Sequence, residues 1–169
     1  MKKSPLLLIA FFIAVFSGYS QNSKGVATTD EVGKFAFNIL KNLDNTSEEE
    51  FINSLFTIEE LKEFLNRHKD SFNTIKEQIS GMEDGAYHKR VAGAFNDMRD
   101  RAKQFNIVLK DIEYSDFTFE KKTDDGLTGV QGKLLFKYKE KEYQIQVAAL
   151  LLDNQYNTLI IRKLREKRE

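Results

Sequence analysis

The chain has 169 residues, enough for one domain of ordinary size with a true core and no need of metal or disulfide. Its 26 basic residues balance 26 acidic ones, so it lacks the basic excess of a general polyanion binder, and nucleic acid is not expected as a partner. It has no cysteine, which excludes disulfides, thiolate nucleophiles, cysteine zinc sites and a cysteine-linked lipid anchor.

A basic start, Met1-Lys2-Lys3, precedes an unbroken apolar run from Leu6 to Phe16. Gly18 and Ser20 then stand at the small-residue positions before Gln21. This is the pattern of a secretory signal peptide over residues 1–20, cut between Ser20 and Gln21. As a helix the apolar run reaches only about 16 Å against a hydrocarbon core of about 30 Å, so no membrane span is expected in the mature chain. The leader's end, Tyr-Ser-Gln, resembles those of exported proteins from Bacteroidetes-type Gram-negative bacteria. That resemblance implies a periplasmic or secreted protein.

Residues 21–27 are polar and read as a flexible start, followed by a single domain over 28–169. Thr28 with Glu31, Ser47 with Glu50 and Thr57 with Glu60 each fit a capping box, so three helices are expected to begin there. Val32, Ala36 and Ile39 lie on one stripe of the first helix. Leu61, Phe64, Leu65, His68, Phe72, Ile75 and Ile79 predict a long third helix to about Ser80. After a break at Gly81 to Gly85, a helix from Ala86 to Phe105 presents Val91, Phe95, Met98 and Ala102 on one face.

Strands follow. Ile112 and Tyr114 are out of phase with Phe117 and Phe119, which predicts a bulge near Ser115-Asp116. Asp124-Asp125-Gly126 reads as a turn. Leu134, Phe136 and Tyr138 alternate with Lys133, Lys137 and Lys139. Beyond a turn at Glu140-Lys141, Tyr143, Ile145, Val147 and Ala149 continue the apolar set, with Tyr138 expected opposite Tyr143 and Phe136 opposite Ile145. Alternation then dissolves into Ala148-Ala149-Leu150-Leu151-Leu152, which predicts burial on both faces there or a partner over the second face. A last strand, Thr158 to Leu164, follows the loop 153–157.

The expected architecture is α+β: N-terminal helices packed on a four-stranded antiparallel sheet, a helix followed by a β-meander. The order of elements from Gly85 to Arg165 resembles the cystatin-like and nuclear-transport-factor-2-like group. The helices before Gly81 depart from that pattern and are expected beside the sheet as an added layer. The resemblance implies a fold that hosts binding pockets, dimer modules and a few enzymes, so it does not choose a function.

No catalytic set is assembled by the sequence. His68 is in phase with a core stripe and His88 sits beside cations at a helix start, and neither has a metal-binding spacing around it. The acidic clusters Glu48-Glu49-Glu50 and Glu59-Glu60 fall where helices begin and serve the helix dipole. No nucleophile elbow, phosphate loop or dinucleotide fingerprint is present. No catalytic residue, metal or cofactor is therefore assigned. Phe117, Phe119, Phe136, Tyr138 and Tyr143 are either core under a helix or the lining of a helix–sheet cavity. Ala148, Leu150 and Leu152 are the candidate interface for a protein partner or a second copy through the sheet. The expected function is an exported, non-enzymatic binding or interaction module; the alternatives are a carrier of a small apolar ligand and a periplasmic inhibitor or immunity-type protein.

Overall fold

A computed structural model describes residues 24–68 and 71–167. The expected leader, residues 1–20, lies outside the described residues.

All three capping boxes form. The Thr28, Ser47 and Thr57 side chains accept from the backbone N–H three residues on, and Glu31, Glu50 and Glu60 reach back to the cap backbone. They open α1 (Thr29–Lys41), α2 (Glu48–Ser54) and α3 (Ile58–Arg67). Each such cap contributes on the order of 1 kcal/mol to its helix. The long third helix does not form. The chain breaks after Arg67, and α4 (Asn73–Ser80) starts anew behind Phe72, whose φ is 61°. The break folds α4 back so that the Phe64 and Phe72 rings meet at 5.9 Å. Phe72 offers no side-chain cap, and the carboxylate of Asp125, from a distant turn, accepts the Thr74 N–H at 2.9 Å instead. The last helix, α5, spans Asp84–Gln104.

The sheet has five strands, not four. β2 (Glu113–Asp124), β3 (Leu127–Tyr138), β4 (Lys141–Leu152) and β5 (Gln155–Glu166) form the antiparallel meander. The fifth, β1 (Gly25–Val26), comes from the stretch read as flexible. It pairs antiparallel with β5, Gly25 opposite Asn157, so the order is β1-β5-β4-β3-β2. Two residues are too few to show a period in sequence; their pairing makes them a strand. A side chain at position 25 would strike Gln155, its Cβ only 2.5 Å from Oε1, so glycine permits the approach.

The β3–β4 register differs from the expected one by two residues. Phe136 faces Tyr143 and Leu134 faces Ile145, because the turn is Lys139-Glu140, with Lys139 in the left-handed region at φ 55°. A shift of two leaves every side chain on its expected face. β5 starts three residues before the expected Thr158, since Asp153-Asn154, both with positive φ, close a two-residue hairpin. The bulge expected near Ser115-Asp116 is present.

The two faces of this sheet are covered differently. On one face, Leu134, Phe136, Ile145, Val147 and Ile161 pack against Val32, Ala36 and Leu40 of α1, Phe51 of α2, and Phe95 and Met98 of α5. The Phe117 ring sits between two glycines, Gly33 and Gly132, where an added Cβ would come within 2.5 Å of ring or Cβ atoms. On the other face, Leu127 and Leu152 pack under Ile58, Leu61, Phe64, Leu65 and Ile79 of the α3–α4 pair, with Leu150 beside them. Of the helices before Gly81, only these form an added layer; α1 and α2, expected with them, share the main core with α5 because their apolar stripes face the opposite side of the sheet. α3 and α4 account for the apolar end of the Ala148–Leu152 run: Leu152 is buried beneath them and Leu150 packs beside it, whereas Ala148 lies beyond their reach. The Tyr87 hydroxyl joins the layers: it lies 2.9 Å from both the Phe56 and the Leu159 carbonyl, and its ring touches both clusters.

Candidate functional site

The aromatic residues singled out in sequence stand mostly inside the core. Phe136 and Tyr143 are buried and stacked, with centroids 5.6 Å apart. Phe117 is buried and Tyr138 half-buried against the same cluster. Phe119 is 36% exposed, stacked on Phe117 with Lys121 over its ring. This is the first of the two roles weighed for them, core beneath helices.

The patch Ala148, Leu150, Leu152 is split. Leu152 is buried under α3–α4, Leu150 packs against the same cluster, and Ala148 alone opens onto the surface beyond it.

The histidines stay apart. His68 ends α3 on the surface; its Nδ1 lies 2.9 Å from the Phe64 carbonyl, which can only accept, so Nδ1 carries the proton. His88, on α5, places Nε2 3.4 Å from a carboxylate oxygen of Glu59. Among the described residues, no three His, Cys, Asp or Glu side chains converge as a metal site would require. Nearby, burial first, then the charges of Glu59 and Glu60, hold the Tyr87 phenol well above the usual tyrosine range. It therefore serves as a donor to backbone carbonyls and not as a base.

The concavity of the molecule lies where neither helical layer reaches, in the middle of the second face. It measures about 630 Å³. Each of four strands contributes a pair two residues apart: Thr118 and Glu120, Gln131 and Lys133, Gln146 and Ala148, Ile160 and Arg162, with Lys163 at the rim. That spacing is what one face of a pleated strand gives. Three cations stand against one carboxylate, and two side-chain amides lie between them. Arg162 Nε is buried without a hydrogen-bond partner among the described residues. A buried guanidinium N–H left unpaired is costly. A second void, between Leu55, Tyr87, Val91 and Ile161, holds about 30 Å³, room for one water and no ligand.

Sequence reading sought the site among aromatic side chains and missed this one. Its signal was present in the polar positions of the strands, notably Gln131 and Lys133. Only the register tells which of them become neighbours. No protein-family model matches the chain, and neither a curated protein nor a solved structure proves similar to it.

Proposed function

We propose that the protein is an exported, non-enzymatic binding module of the cystatin-like shape, and that its site is the uncovered middle of the second face. The observation that carries this is the row Thr118, Gln131, Lys133, Gln146 and Arg162 around one concavity of ligand-pocket size. Hydrogen-bond donors and cations outnumber acceptors there. The matching occupant is polar and carries carboxylates, and an acidic segment of a protein partner fits both the chemistry and the open shape. An inhibitor or immunity-type protein would use such a surface in this way. A carrier of a small apolar ligand is the second reading; a polar lining suits it less, and the rings it relied on are mostly spent in the core.

The test is a nuclear magnetic resonance titration with a hexaglutamate peptide. Backbone amides of 131–133, 146–148 and 160–163 are expected to shift, and Lys133→Glu is expected to weaken binding at least tenfold with an unchanged melting midpoint. Absence of shifts at millimolar peptide, or shifts centred elsewhere, would remove the proposal.

A further inference from the structure

β2 is the open edge of the sheet, and every β2 side chain except Phe117 is exposed. An edge strand offers unpaired backbone groups to any strand that can match it. Charged residues on an edge ordinarily block such additions. Here their order blocks some registers and permits another.

An antiparallel pair joins residues of the same hydrogen-bonding class, so a strand meeting its own copy must be centred on a residue. Beyond the bulge, the regular part of β2 runs from Asp116 to Asp124. Centring on Thr118 sets Asp116 opposite Glu120. Glu120 as centre faces itself and sets Asp116 opposite Asp124. Lys121, Lys122 or Asp124 as centre faces itself, centring on Thr123 joins only residues 122–124 before the strand ends, and centring on Phe117 runs at once into the bulge. Like charges directly opposite are destabilising. Centring on Phe119 leaves none: Phe119 faces itself, Thr118 faces Glu120, Phe117 faces Lys121, and Asp116 faces Lys122 twice, once on each side of the axis.

We infer that β2 pairs with β2 of a second copy of this chain in this register, joining two five-stranded sheets into one. The pairing covers the exposed Phe119 ring, which already stacks on Phe117 at 5.6 Å, and brings a second Lys121 onto that stack. The Asp116 carboxylate stands ready at the edge, where its Oδ1 accepts the Phe117 N–H at 2.8 Å. Among the described residues, Lys122 makes a 3.8 Å approach to Glu120, both side chains largely exposed. Such a pair is worth little and is readily exchanged. This inference does not rest on the binding role of the concavity, with which it shares Thr118 and Glu120.

Sedimentation equilibrium on the protein and on Asp116→Lys and Lys122→Asp tests it. The parent protein is expected at the mass of two chains at high micromolar concentration, moving towards one chain on dilution or in molar salt. Either variant alone sets like charges opposite and is expected to associate at least tenfold more weakly. An equimolar mixture of the two variants restores both opposite-charge pairs and is expected to regain parent-like association. Phe119→Asp, at an exposed position away from the bulge, should sediment as one chain with an unchanged melting midpoint. A parent protein that stays a single chain at millimolar concentration would overturn the inference. So would a mixture that associates no better than its parts, or a Phe119→Asp protein that dimerises normally.

Discussion

The same four strands build both faces of the sheet, yet the faces have opposite characters. Beneath α1, α2 and α5 the strands present Leu134, Phe136, Ile145, Val147 and Ile161, sealed from water. On the reverse, α3 and α4 cover only the end carrying Leu127 and Leu152, and the middle is a polar concavity. One face is covered throughout, whereas the middle of the other is left open. The boundary lies within β4, where Leu152 is under helices and Ala148, four residues earlier, is not.

Core truncation should show the contrast most sharply. Phe136→Ala removes a fully buried ring and should cost about 3–5 kcal/mol, whereas Gln131→Ala on the reverse should stay within about 0.5 kcal/mol. Urea denaturation of both variants checks this, and equal costs would erase the distinction between the faces. Next in size, Leu152→Ala should cost about 2–4 kcal/mol and loosen the α3–α4 layer before the rest. Hydrogen exchange should then rise in 58–67 and 73–80 with 91–102 unchanged; a uniform rise would mean that the two layers unfold as one.

The smallest effect is electrostatic. Burial pushes the Glu60 carboxyl up, but the Thr57 N–H, the Lys24 ammonium at 2.9 Å and the Thr57 side chain outweigh it, and the group ends below its usual 4.5. A carboxylate held low in the folded state contributes stability above its unfolded value, and loses it as pH falls through the folded one. Thermal midpoints of the parent protein should therefore drop more steeply than those of Glu60→Gln as pH is lowered from about 5 towards 3. Parallel curves would show that the Lys24–Glu60 link between the start of β1 and α3 adds nothing.

Much of the fold was legible because its signals are local. A Ser or Thr three residues before a Glu, just ahead of an apolar stripe, is a local signal for a helix start, and the three boxes read in this way formed. The phase change between Tyr114 and Phe117 announced the bulge. The errors arose where distant contacts decide. Leu61 to Ile79 keeps helical spacing straight through the break at Phe72, which is set by ring contacts and by a cap from Asp125. Lys139 is no favoured turn residue, so the β3–β4 turn was placed one residue late. The concavity was illegible for the same reason: its side chains come from four strands and meet only once every register is set.

The strand order carries a consequence for the time course of folding. β5 leaves the ribosome after the other four strands of this sheet, yet it lies between β4 and β1, and α1, α2 and α5 all rest on the sheet that it completes. Until β5 emerges, Gly25 and Val26 have no strand to pair with, and the Leu159 and Thr158 carbonyls that meet the Tyr87 hydroxyl and the Phe56 N–H are absent. In a nascent chain of this design the α1, α2 and α5 layer has no complete sheet to rest on until residue 166 has emerged.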